Sequence, residues 1–229
     1  MELLIQKHAA LWQNRDYLRS MIAGMLMLLT GLAAAAAAWF YLLRTNVHPV
    51  TPPDLFLDLL PVTGMENVLV WGVPLLLSFV ICSMLLYPER IPLVLGATGA
   101  LFLTRSFFVV LTPMGIRPDQ AVTQTQGMFQ QMAYGSSDFF FSGHVSFPFL
   151  LGLVFWNQPW IRITMFGASG IFAVAVLLAH THYSIDVFSV PFIVPTIHRL
   201  SVSLFNHSLV PTAGWEQTSE RTNTSPAFI

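Results

Sequence analysis

The sequence predicts an all-α polytopic membrane protein, a bundle of six transmembrane helices, and three observations carry that expectation. Of its 229 residues, 55% are hydrophobic and only 9% are charged, too little charge to coat a water-soluble surface. The mean hydropathy is +0.65. Six apolar windows, at 20–43, 67–87, 91–112, 139–157, 163–182 and 185–204, approach the roughly 20 residues a helix needs to cross a bilayer.

Residues 1–19 form an N-terminal segment in which "LLIQKHAALWQNRDYL" suits either an interfacial amphipathic helix or a solvated leader. The first window is long for the apolar core of a signal peptide and is read as a retained span. Its small-residue run "GLAAAAAA" would let helices pack closely, within the monomer or between chains. The first two windows are free of charge. The third contains Arg105, the fourth contains His144, and the fifth ends in "AHTHY". The sixth is short and interrupted by Pro191 and Pro195. The membrane domain therefore covers 20–204, and residues 205–229 form a polar tail expected to be disordered. The single cysteine, Cys82, cannot form an internal disulfide.

A net charge of −1 with scattered basic residues gives no basic face for nucleic acid. Six spans put both termini and the loops near 88–90 and 158–162 on one side. That side carries Lys7, Arg15, Arg19, Arg90, Arg162, Arg199 and Arg221, against Arg44 and Arg117 opposite, so the positive-inside rule makes the termini cytoplasmic. The same topology brings the unusual polar residues to the other face. Arg105 lies late in the third span, Asp138 and His144 at the start of the fourth, and His180, His182 and Asp186 between the fifth and sixth. Asp54, Asp58 and Glu66 lie on or near the first outer loop.

This set points to a chemistry. If the chain continues helically past Ala179, His182 and Asp186 share a helix face, where the carboxylate orients the imidazole as a nucleophile or general base. His144 would then supply general acid catalysis, and the planar donor fork of Arg105 suits a phosphate anion. Two histidines, an aspartate and an arginine at a lipid–water boundary suggest phosphoryl transfer on a lipid head group. Structural ion pairing is the competing reading of these four. His48, His198 and His207 read as structural, and His180 is open, since two residues from His182 it points elsewhere on a helix. A metal site built from His180, His182, Asp186 and His144 is disfavoured, because "HTH" lacks the helical ligand spacing of zinc sites and no thiolates are present.

The motifs also carry a resemblance. "FSGH" at 141–144 followed by "HYSID" at 182–186 resembles the C-terminal half of the type 2 phosphatidic acid phosphatase superfamily, in particular its sphingomyelin synthase branch. "TPPDLFLDLLP" at 51–61 and "RSFFVVLTP" at 105–113 are similar to further stretches of that branch, in the same order. The resemblance implies a six-helix bundle whose site opens to the outer leaflet on the periplasmic, extracellular or lumenal side. It implies that His182 attacks the phosphodiester and becomes phosphorylated, that Asp186 orients it, and that His144 protonates the departing diacylglycerol oxygen and then deprotonates the acceptor alcohol. Arg105 would hold the phosphate, Asp138 matches the aspartate preceding "FSGH", and Glu66 resembles an acidic residue of the family. The scheme needs no metal or other cofactor. Its partners are a glycerophospholipid donor, with a phosphocholine or phosphoethanolamine head group, and a lipid alcohol acceptor such as ceramide or a diacylglycerol-like molecule. The "IRP" at 116–118 has no basic residue seven positions before Arg117, a departure from the wider phosphatase pattern that favours the synthase branch. Water as acceptor would instead give a phospholipase C or lipid phosphate phosphatase, and a non-catalytic lipid-binding bundle is the alternative from another class. The polar stretch 119–138 is either a cover for the site or a solvated connection.

Overall fold

The computed structural model describes residues 2–44, 51–115 and 141–205, apart from the side chains of Leu3, Leu43 and Glu66. Among these residues the fold is helical, with no strand. Helix α1 (Glu2–Gln13) stops at Asn14, whose side-chain oxygen accepts the N–H groups of Asp16 and Tyr17 and so caps α2 (Arg15–Arg44). This cap explains why α2 begins five residues before the expected window at residue 20. After the α2–α3 loop come α3 (Glu66–Leu86), a 3₁₀ turn (Pro88–Arg90) and α4 (Ile91–Leu111). Then follow α5 (Gly143–Val154), α6 (Pro159–Leu178), the five-residue α7 (Ser184–Phe188) and α8 (Val190–Phe205).

Five stretches are long and apolar enough to cross a bilayer: Arg15–Leu42, Asn67–Leu86, Pro88–Leu111, Pro159–Leu178 and Ser184–Phe205. They mark a multi-pass integral membrane protein. The last stretch is interrupted near Ser189 rather than at a proline: Pro191 falls in the first turn of α8, where its missing N–H costs nothing, and Pro195 is held inside the helix. Large apolar side chains such as Trp71, Leu75 and Phe192 point outward, the expected inversion for a lipid-facing surface.

The fourth expected window departs from a full span. Its helix α5 has 12 residues, about 18 Å of rise, against roughly 30 Å of hydrocarbon. The reason lies in where α5 starts. Gly143 packs against Arg105, which is six residues, about 9 Å of helix, before the end of α4. The first turn of α5 is thus recessed within the bundle. Non-helical backbone is tolerated at such depth only where protein covers it, and Phe141 and Ser142, just ahead of α5, are fully buried.

Helix α4 is the centre of the bundle, with α2 on one side and α5 and α8 on others, while α6 joins α5 to α3. The α2–α4 contact is backbone on backbone. A β-carbon on Gly31 would meet the Gly99 carbonyl, and one on Gly99 would meet the Met27 carbonyl. At one end of the bundle Tyr17 donates its hydroxyl to Pro88 O (2.9 Å), Lys7 pairs with Glu89 (2.8 Å), and the rings of Phe79 and Trp160 meet edge-on. The opposite end holds the candidate site.

Candidate active site

The site is assembled where α6 stops. Thr181 N–H returns to Val176 O (3.1 Å) and His180 N–H to Leu177 O (3.2 Å), the bonding of a Schellman cap, with His180 in the left-handed region at φ 52°. A residue with a β-carbon pays roughly 1 kcal/mol or more for that conformation, which is why glycine normally takes it. His180 is therefore the buried residue that terminates α6. The termination also moves His182 off the helix, contrary to the expectation that 163–182 forms one span.

His182 and Asp186 nevertheless meet, by a different route from a shared helix face. Tyr183 is extended (φ −73°, ψ 156°) and precedes α7, in which Asp186 is the third residue. The Asp186 carboxylate reaches back to accept Tyr183 N–H (2.9 Å), and the same oxygen lies 3.4 Å from His182 Nδ1. This is the reach-back geometry of a capping box, here placing an acid beside an imidazole. Asp186 has no exposed surface, and His182 retains 8%. With Nδ1 facing the acid, Nε2 lies on the opposite side of the ring.

The "FSGH" segment is stitched onto this hairpin. Ser142 N–H donates to Asp186 O (3.3 Å), and Phe141 holds a φ of 67° with its side chain fully buried. Phe141 and His180 are the non-glycine positive-φ residues among those described; the first opens "FSGH" and the second precedes "HYSID" by two residues. Backbone strain of this kind persists where surrounding structure over-determines it. From α6, the Ser169 hydroxyl donates to Val145 O (2.9 Å) and ties down the first turn of α5. The His144 ring then lies 6.4 Å from the His182 ring and 5.8 Å from that of Phe172.

Arg105 reaches the same point from α4. A β-carbon at Gly143 would collide with its Nη1, so the glycine of "FSGH" makes room for the guanidinium. Arg105 also lines a cavity of about 70 Å³ between α2 and α4, beside Trp39 and Phe102. Four of the six sequence-selected residues, His144, His182, Asp186 and Arg105, thus share one locality. Asp138 and the 119–138 stretch lie outside the described residues. Glu66 is the first residue of α3 and its side chain lies outside them too, but Thr63 N–H donates to Leu178 O (2.8 Å), bringing its approach loop to the end of α6. Among the described residues no three His, Cys, Asp or Glu side chains gather as a metal site.

Residues 135–203 match the PAP2 superfamily C-terminal family model. The matched segment contains both "FSGH" and "HYSID", and it supports membership of the PAP2 superfamily and, coarsely, a phosphoryl-transfer enzyme acting on lipid phosphate. No curated protein and no solved structure matches the chain. Within the matched residues, the hydrogen bond from Ser142 N–H to Asp186 O ties the two motif segments together.

Sequence reasoning placed Asp54 on a loop without a role. Its Oδ2 accepts Ser184 N–H (2.7 Å), and its Oδ1 accepts the Ser184 hydroxyl (2.9 Å) and the N–H groups of Phe56 (3.1 Å) and Leu57 (3.2 Å). Burial pushes the Asp54 carboxyl up, but these hydrogen bonds outweigh it and hold the group below its ordinary value. The available signal was an aspartate after "TPP", a residue type that bonds backbone N–H groups just downstream of itself.

Proposed function

We propose that the protein is a membrane lipid phosphotransferase of the sphingomyelin synthase type, moving a phosphocholine or phosphoethanolamine group from a glycerophospholipid to ceramide or another lipid alcohol. The observation that carries the reading is the convergence of buried His182, held against buried Asp186, with a half-buried second histidine and arginine. In the first step His182 Nε2 attacks phosphorus, the bond from phosphorus to the diacylglycerol oxygen breaks, and His144 gives that oxygen its proton. In the second, His144 takes the proton of the acceptor hydroxyl, the acceptor oxygen bonds to phosphorus, and the P–N bond breaks, restoring His182. Arg105 neutralises charge on the non-bridging oxygens, an electrostatic role that low surrounding dielectric strengthens. Asp186 fixes the His182 tautomer and stabilises the ring as positive charge develops. Asp138 and Glu66 are assigned to the same site by resemblance, and the site is taken to open away from the cytoplasm by the distribution of basic residues.

The test is lipid product analysis by mass spectrometry with purified protein in liposomes of phosphatidylcholine or phosphatidylethanolamine, with and without ceramide, beside His182→Ala. The expected result is a ceramide-dependent phospholipid that the variant does not make. Diacylglycerol and free phospho-head group formed regardless of ceramide would replace transferase by hydrolase. Unchanged function in His182→Ala would overturn both in favour of a lipid-binding bundle.

A further inference from the structure

We propose that Asp54 is a positioning residue for the catalytic pair: by gripping Ser184, it sets the separation of His182 and Asp186. The inference rests on the phosphotransferase reading of the site. Ser184 is the first residue of α7 and lies midway in sequence between the two, two residues from each. A five-residue helix cannot hold its own geometry, because nucleating one turn fixes several residues for very few hydrogen bonds. Its leading N–H groups also have no partners inside the helix. Here those of Tyr183 and Ser184 are taken by Asp186 and Asp54 respectively.

The chemistry at Asp54 calls for a carboxylate. Four donors converge on it, two from Ser184 and two from the backbone of Phe56 and Leu57, and an ionised carboxylate has about four acceptor positions. An asparagine of the same shape would turn an amide NH₂ towards the Ser184 N–H in one orientation and towards the other three donors in the flipped one. The side chain is buried, so water does not readily replace what is lost. The loop carrying it is anchored independently, through Thr63 N–H to Leu178 O on the far side of the same hairpin. The α2–α3 loop thus holds the 179–184 turn at both of its ends. Through Ser184 it fixes the backbone from which His182 and Asp186 project. Small misplacements matter there, since about 1 Å can cost on the order of 100-fold in rate.

Two variants separate positioning from folding. Asp54→Asn keeps the shape and removes one acceptor. Ser184→Pro removes both Ser184 donors, yet proline suits the first position of a helix and the residue before it, Tyr183, already has the extended conformation proline requires. With full-length protein in phosphatidylcholine liposomes containing ceramide, each should lower kcat about 10- to 100-fold with KM for the donor within about 3-fold. Neither should lower it further in an Asp186→Asn background, because the pair has already lost its function there. Hydrogen exchange of residues 181–188, which needs no substrate, should quicken in both variants while α3 and α4 are unchanged. A kcat within 2-fold of the parent in both variants, losses that multiply with Asp186→Asn, or unchanged exchange across 181–188 would each overturn the proposal. If Asp54→Asn does not insert, Ser184→Pro decides it alone. Failure of the phosphotransferase reading shows separately, as activity surviving His182→Ala.

Discussion

Gly143 illustrates how a single side chain, or its absence, sets the site. Because the obstacle to a β-carbon there is the tip of Arg105, a flexible group, Gly143→Ala should fold and insert normally while displacing the guanidinium. The expected outcome is a fall in kcat/KM of about 10-fold or more, the scale of losing a charge-assisted contact to a developing anion, checked by kinetics beside a thermal melt that should not move. Asp54 makes a prediction in pH. A carboxyl whose folded value is depressed contributes stability that is complete above the unfolded value, about 3.9, and is lost as pH falls through the folded value. Melting temperature in detergent should therefore drop on acidification below about pH 4, and Asp54→Asn should remove part of that drop. Equal acid sensitivity in the two proteins would contradict the role of the carboxylate. His182, Asp186, His144 and Arg105 were legible in the sequence because a polar residue in an apolar run needs a partner. The local bonds of Asp54 to the Phe56 and Leu57 N–H groups follow from residue type, but its grip on Ser184 spans 130 positions and leaves no mark in the pattern.

The elements were legible to the extent that hydropathy defines them. Charge-free windows gave α2 and α3 with ends shifted only by caps such as Asn14. The "FSGH" helix and the "HTHYSID" hairpin were not, since length on a hydropathy scale does not reveal a helix that starts at depth, nor does composition announce a Schellman cap centred on histidine. The α2–α4 seam supplies a test at this level. Gly99 faces the backbone of Met27 and Leu28, which cannot swing aside, so Gly99→Val should destabilise the bundle by about 1–3 kcal/mol. Gly167 on α6 has nothing within 4 Å of a built β-carbon, and Gly167→Ala should be neutral or stabilising, since alanine loses less entropy in a helix. Denaturant or thermal melts should show a loss for Gly99→Val and none for Gly167→Ala, and a destabilisation of Gly167→Ala as large as that of Gly99→Val would refute the packing argument.

Among the described residues, the helices bring His144, His182, Asp186 and Arg105 together at the end of the bundle opposite the Lys7–Glu89 pair. Four hydrogen bonds close this site: Ser184 N–H to Asp54, Thr63 N–H to Leu178 O, Ser142 N–H to Asp186 O, and Tyr183 OH to Gly115 O (2.8 Å). Each links segments distant in sequence, so the site exists only when the bundle is complete. The proposed phosphotransfer needs such closure, because its charged intermediate must be kept within reach of a lipid acceptor and away from bulk water. The most direct measurement is peptide mass spectrometry of protein quenched in alkali after mixing with phosphatidylcholine liposomes lacking ceramide, where the second step has no acceptor. The account predicts a phosphocholine adduct on the peptide containing His182, absent in His182→Ala and discharged when ceramide is added. Turnover at the full rate with the adduct on another residue, or with no adduct in a rapidly quenched single turnover, would contradict it.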